Sequence, residues 1–252
     1  MTDDAALIEP RRIPGDPQID HPLILVLFEP YLEILGKTLK LKNSSWKRLR
    51  FPSLSYSTAE VEGSLLSVFG APLGSPQAAL VLERLIAMGA RKVFTFGCCG
   101  SIQFTLRTGD LVIPTHALSE EGTSAHYPLP DGLQAKADKR ITQSIMKCCL
   151  EKHLPWAEGG VWTTDAIFRE TRSKVNRYAE MDILAVEMEM SALFTVAAYR
   201  RISLGGLLVV SDELARPTWK TGFLNPSFWL TSKKAAKAVV AACLGLSNPP
   251  AD

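Results

Sequence analysis

This 252-residue chain has no excess of one charge, no membrane-length apolar run and no metal-ligand spacing, and each absence removes a class of function. The formal net charge is +2 with the basic residues spread along the sequence, so no electrostatic footprint for nucleic acid stands out. Lys233-Lys234 and Lys237 are expected to be solvated on a late helix. No apolar stretch approaches the roughly 20 residues of a membrane span. Met1-Thr2-Asp3-Asp4 opens the chain without a signal-like apolar segment, so a cytoplasmic protein with no membrane partner is expected. Cysteine is sparse, with adjacent pairs at Cys98-Cys99 and Cys148-Cys149 plus Cys243, and no C-x-x-C clip. His21, His116, His126 and His153 are isolated, so no metal is expected. The glycine spacing and lysine of a P-loop or dinucleotide fingerprint are also missing, which argues against a nucleotide cofactor.

What remains is the length and patterning of one α/β domain. Residues 1–20, with Pro10, Pro14 and Pro17 and no persistent period, read as an N-terminal arm, and 21–252 as the catalytic domain. Leu23–Phe28 is a continuous apolar run suited to a strand buried on both faces. Glu29 follows at its carboxyl end, where it is either an active-site acid or a helix-start acid favoured by the dipole; a helix is expected over Tyr31–Leu39. Arg48 and Arg50, in a basic and aromatic segment around Trp46, can serve phosphate, a partner subunit or a solvated turn; Ser55–Thr58 reads as a short edge element.

Two glycine-rich segments follow apolar runs: Gly70–Pro76, containing Gly74 and the candidate cap Ser75, and Gly97-Cys98-Cys99-Gly100-Ser101, which reads as a turn after the strand Val93–Phe96. Glu120–Pro128, including His126, reads as a substrate loop, and a helix is expected over Lys136–His153. Phe168, after the hydroxyl-rich strand end at Trp162–Asp165, suits either a wall for a planar base or ordinary core packing. Arg169, Arg172 and Arg177 read as solvated.

The sharpest signals are acidic. Val186-Glu187-Met188-Glu189-Met190 runs into an apolar helix, where a buried carboxylate needs a partner. Vicinal ribose hydroxyls can donate to Glu189, with Glu187 beside it, and Met188 can cover the sugar. Ser211-Asp212 falls just beyond the strand Gly205–Val210, where a carboxylic acid either protonates a departing heterocycle or caps a turn. Pro217–Asn225, with Trp219, Lys220 and Phe223, reads as a flap before a helix from Pro226 to Leu244.

The segment Gly70–Ser75, the Gly97–Ile102 segment, Gly109-Asp110, Val186–Glu189 and Ser211-Asp212, in this order over nearly the whole chain, resemble the nucleoside phosphorylase superfamily, which includes purine and uridine phosphorylases and nucleosidases. The resemblance implies a single-domain α/β fold with a mixed, partly barrel-like central sheet flanked by helices, and a homo-oligomer, a dimer or a hexamer. It implies phosphorolysis of a purine or pyrimidine nucleoside to free base and ribose 1-phosphate, with inorganic phosphate as co-substrate and no other cofactor. Glu189 would bind ribose hydroxyls, assisted by Glu187 and Met188, and Asp212 would assist the leaving base; Phe168 and Ser211 are further candidate substrate-binding residues. The Gly-Thr-Ser-x-His order around His126 is closer to uridine phosphorylases. Phosphate would be held near Thr95, Gly97, Cys98 and Gly74, with Arg48 or Arg50 compensating, particularly across an oligomer interface. Thr95 and Cys98 stand where related phosphorylases carry an arginine and a hydroxyl. Hydrolysis is therefore the alternative, with Glu29 matching the acid that orients water. A nonenzymatic nucleoside-binding protein is a further one.

Overall fold

The computed structural model describes residues 6–247. The opening Met1-Thr2-Asp3-Asp4 and the last five residues of the expected catalytic domain lie outside the described residues. Strands β1 (Leu23–Val26), β2 (Lys47–Leu49), β3 (Leu54–Val61), β4 (Ser64–Gly70), β5 (Lys92–Ser101), β6 (Leu111–Glu120), β7 (Trp156–Thr164), β8 (Ile183–Glu187), β9 (Ser203–Glu213) and β10 (Lys220–Thr221) form one mixed sheet in the order β10-β9-β6-β7-β8-β5-β1-β4-β3-β2. β5 also pairs with β9 in parallel, so β9, β6, β7, β8 and β5 close on themselves as a barrel. β1, β4, β3 and β2 extend from β5 as an open wing, and β10 pairs with β9. The architecture is a single-domain α/β fold with a mixed, barrel-like sheet.

Helices α1 (Pro30–Thr38), α2 (Ser75–Ala87), α3 (Lys139–Glu151), α4 (Arg172–Glu180), α5 (Met190–Arg200) and α6 (Pro226–Gly245) flank the sheet. The apolar run at β1 explains the layering. Leu23 and Leu25 pack with α2 and α5 residues such as Leu82 and Phe194, while Ile24 and Val26 pack with Tyr31, Ile145 and Phe228 of α1, α3 and α6. A strand sandwiched in this way needs apolar side chains on both faces, hence the unbroken run. Asp138 fixes the start of α3 by accepting from the N–H groups of Arg140 (2.9 Å) and Ile141 (3.1 Å), which is why the helix begins later than its periodicity suggests. The residues before β1 are tied down: Ile19 N–H donates to the Met88 carbonyl at 2.9 Å, and buried Asp16 pairs with Arg84 at 2.5 Å.

Four local expectations are corrected. Gly97–Ser101 is not a turn but the second half of β5, and Ser211-Asp212 lies within β9 rather than beyond it. Closing the barrel makes both strands long: β5 and β9 pair from Lys92–Ser203 to Ser101–Glu213, with an irregularity at Cys99/Gly100. Glycine here permits close packing, since a Cβ on Gly97 would meet Leu27 Cβ at 3.0 Å. β3 is an interior strand, and the basic segment supplies the edge strand β2. Ser75 does not cap α2; its hydroxyl donates to the Met188 carbonyl at 2.8 Å, and the cap position belongs to Gly74, whose φ of +77° suits glycine.

Candidate active site

The carboxyl ends of the barrel strands open on a cavity of about 440 Å³ lined by Cys98, Cys99, Gly100, Glu187, Met188, Glu189, Ser211 and Asp212, with Leu27, Phe28, Leu73, Phe168, Glu170, Arg172 and Trp219 among its other walls. The topology explains the convergence. Gly100 of β5 faces Val186 of β8 on one side and Asp212 of β9 on the other. Two strand spacings, roughly 9–10 Å, therefore separate the acidic segments that the sequence sets far apart. A Cβ there would stand 2.4 Å from Leu214 Cδ1 and 3.1 Å from Asp212 Oδ2, so any larger residue would displace both side chains.

Glu187 and Glu189 play different parts. Glu187 Oε2 accepts from the backbone N–H groups of Glu189 and Met190, both at 2.7 Å, while Oε1 accepts from the Thr163 hydroxyl. Its carboxylate is thus committed to the N-terminus of α5, satisfying amides that have no partner within the helix. Glu187 lines the cavity beside Glu189 with its carboxylate held by these donors. Glu189 Oε1 accepts from Gly74 N–H at 2.7 Å, leaving the carboxyl group capacity for a ligand. Both glutamates bind a proton more readily than free glutamate, because burial penalises their charges. At Glu189 the Glu187 charge adds to this effect.

Asp212 is bracketed. Trp219 Nε1–H donates to Oδ2 at 2.8 Å, and Ser211 Oγ lies 2.6 Å from Oδ1. The Ser211 hydroxyl also lies 3.1 Å from the Cys99 carbonyl. Phe168 is 95% exposed, which rules out core packing and leaves its ring as an open cavity wall. Burial pushes the Cys98 thiol up to about 12, despite a Ser211 hydrogen bond, and the charges of Asp212 and Glu189 act in the same direction. It is a neutral wall group at ordinary pH.

The phosphate candidates are dispersed. Of Thr95, Gly97, Cys98, Arg48 and Gly74, only Cys98 lines the cavity. Thr95 is fully buried with its hydroxyl on Met190 Sδ at 3.4 Å, Gly97 is enclosed by Leu27 and Leu208, and the Gly74 N–H is taken by Glu189. Arg48 lies on the edge strand β2 and donates to Ser53 Oγ at 2.6 Å. Glu29 is exposed beside the cavity wall formed by Leu27 and Phe28 and is not itself part of the lining. His126 lines a second cavity, of about 920 Å³, with Tyr127, Asp165 and Arg200. Its loop is organised by Glu121, which accepts from the N–H groups of Thr123 (2.6 Å) and Ser124 (3.1 Å).

Two lining residues escaped the sequence reading. Glu170, two positions after Phe168 in the loop that leaves β7, has no hydrogen-bond partner for its carboxyl group among the described residues. Arg172 is exposed, as expected, yet it also donates to the carbonyls of Leu214 (2.6 Å), Arg216 (2.5 Å) and Pro217 (3.4 Å), pinning the segment that leads to Trp219. The signal available was their place at a strand's carboxyl end, obscured by the surrounding charges.

Residues 23–245 match the phosphorylase superfamily. The chain belongs to that superfamily. Its reaction is accordingly of the general nucleoside phosphorylase type. Among relatives of this phosphorylase superfamily member, the DeoD-type purine nucleoside phosphorylase of Brevibacillus brevis is 30% identical over 159 residues, 62% of this chain and 67% of that one. The guanosine phosphorylase of Halorubrum lacusprofundi is 25% identical over 202 residues, covering 80% and 77% of the two chains. The crystal structure of purine nucleoside phosphorylase from Toxoplasma gondii, in complex with immucillin-H, superposes with a TM-score of 0.80 at 20% identity, covering 96% of this chain and 98% of that one. That likeness shows the shared fold.

Proposed function

We propose that the protein cleaves the N-glycosidic bond of a purine nucleoside and transfers the ribosyl group to phosphate, releasing free base and ribose 1-phosphate. The observation that carries this reading is the convergence of Glu189 and Asp212 on one cavity from opposite sides of Gly100. The carboxyl group of Glu189 accepts hydrogen bonds from the vicinal ribose hydroxyls, and Met188 packs against the sugar. Phe168 and Trp219 offer aromatic faces to a planar base, with Asp212 at its edge. The carboxylates favour the positive charge that develops on the ribose as the C–N bond lengthens. The purine assignment rests on Asp212 and on relatives named for purine and guanosine phosphorolysis; His126, the pyrimidine-like feature, lines the other cavity.

Water is the competing acceptor, and one observation favours it. The lining carries Glu170, Glu187, Glu189 and Asp212, while its cation, Arg172, is committed to backbone carbonyls. A phosphate anion needs a guanidinium or ammonium partner. In the phosphorolysis reading Arg48 supplies it from a neighbouring copy in a homo-oligomer. The exposed Phe51, Leu73 and Leu80 support such an assembly. In the hydrolysis reading Glu29 activates water. Incubation with guanosine, inosine and adenosine, with and without phosphate, separates the two. Phosphate-dependent ribose 1-phosphate supports the first, phosphate-independent ribose the second, and intact nucleosides in every condition would overturn both.

A further inference from the structure

Successive residues of a strand point to opposite faces. Asp212 lines the cavity, while Glu213, next to it on β9, is buried on the other face and is no part of the lining. Glu213 gathers three cations: Arg216 Nε at 2.9 Å, Arg107 Nη1 at 3.4 Å and Lys220 Nζ at 3.7 Å. The Thr108 N–H (3.1 Å) and hydroxyl (3.3 Å) also donate to it. Two of the cations belong to the flap and bracket Trp219 in sequence, Arg216 before it and Lys220 after it. β10 pairs Lys220 with Glu213 and Thr221 with Asp212. The flap therefore meets both faces of β9, with Arg216 and Lys220 on Glu213 at one and the Trp219 indole on Asp212 at the other. Arg216 is itself fixed, its guanidinium lying 5.1 Å from the Phe104 ring and its Nη2 donating to the Phe104 carbonyl at 3.2 Å.

We propose that Glu213 is a positioning residue, which holds the flap on β9 so that the Trp219 indole stays on Asp212. This rests on the nucleoside-cleavage reading, in which Asp212 stands at the edge of the base. The physical reason is burial: an acidic group out of water is costly unless paired, and Glu213 is only 2% exposed. The flap supplies two of its three cations, so lifting the flap would leave Glu213 with Arg107 and Thr108 alone. Trp219 has no comparable hold of its own. It is 64% exposed, and its indole N–H donates to Asp212. Arg172 grips the carbonyls of Leu214, Arg216 and Pro217, all before Trp219, whereas Lys220 ties the far side of the flap to Glu213. Glu213 thus acts on the site from outside the cavity, without touching substrate.

The test is a double-mutant cycle of Glu213→Gln and Trp219→Phe, read as kcat/KM on whichever of guanosine, inosine and adenosine wild type cleaves, in proteins with unchanged circular dichroism. Glu213→Gln should cost about 5- to 10-fold when Trp219 is present and no more than about twofold in the Trp219→Phe background, because residues acting through one network couple whereas independent ones add. Equal losses in both backgrounds, as a role in stability alone predicts, or no loss in either, would overturn the assignment while leaving nucleoside cleavage intact. Arg216→Gln combined with Lys220→Gln breaks the same two pairs from the flap side and spares the buried acid. It should reproduce the loss and its dependence on Trp219, and an undiminished rate contradicts the proposal. If wild type cleaves no nucleoside, the underlying reading fails, and proteolysis decides the flap contact separately. Trypsin should then cut after Lys220 faster in Glu213→Gln than in wild type, and equal rates would overturn the hold on the flap.

Discussion

Trp219 donates its indole N–H to Asp212 Oδ2 at 2.8 Å, so the flap after β9 reaches back and fixes a carboxylate on the strand that carries it. β10 supports this return by pairing Thr221 with Asp212. Trp219→Phe keeps the aromatic wall and removes the hydrogen bond. The expected result is a fall in kcat/KM of about 5- to 10-fold, the equivalent of roughly 1 kcal/mol for a solvent-accessible hydrogen bond. Steady-state kinetics check it, and an unchanged kcat/KM would show that the bond does not position Asp212.

Arg172 anchors the same flap through its fork of donors. Lysine carries the charge without the fork, so Arg172→Lys should loosen residues 214–221. Trypsin cleavage after Lys220 should accelerate while Tm moves by no more than about 2–4 °C. Unaltered cleavage would count against the anchor.

Gly100→Ala tests the geometry beneath the acids. The added methyl would lie 2.4 Å from Leu214 Cδ1 and 3.1 Å from Asp212 Oδ2, so both side chains must shift. A displacement near 1 Å at a reacting group costs about 100-fold, and a kcat loss between about 10- and 100-fold is expected in a protein that remains folded by circular dichroism. Full activity would mean that the cavity tolerates what the packing forbids.

Stability should depend on pH through the glutamate pair. Burial raises the proton affinity of Glu187 and Glu189 above that of the unfolded chain, so the folded protein holds more protons across the interval between the two values. Stability from this source is complete below the ordinary glutamate range and is lost as pH rises through the folded value. Glu189→Gln removes its share, and the variant's Tm should fall less than that of wild type between about pH 5 and about pH 8. Parallel Tm profiles would contradict the shift.

Sequence legibility followed physical range. The run Leu23–Phe28 announced a strand buried on both faces because burial on each side is written locally in side-chain type. The need of Glu189 for a partner was legible because a carboxylate in so apolar a run requires one, and the Gly74 N–H supplies it. Gly97–Ser101 was read as a turn because glycine usually punctuates; the same residues permit close packing within a barrel strand, a consequence of the β5–β9 pairing that no local pattern encodes. Glu170 and Arg172 were lost among solvated charges for a related reason. Their place at the cavity follows from where the chain leaves β7, and Arg172 finds its acceptors more than forty residues away.

The central claim is that Glu189 and Asp212 form one nucleoside site. It is tested most directly by release of free purine from guanosine, inosine and adenosine by wild type, Glu189→Gln and Asp212→Asn under identical conditions. Wild type should release base from at least one of them, with kcat/KM lower by about 10- to 100-fold in each variant, the range expected for loss of a hydrogen bond to a charged group. No release by wild type, or equal rates in all three folded proteins, would contradict the account.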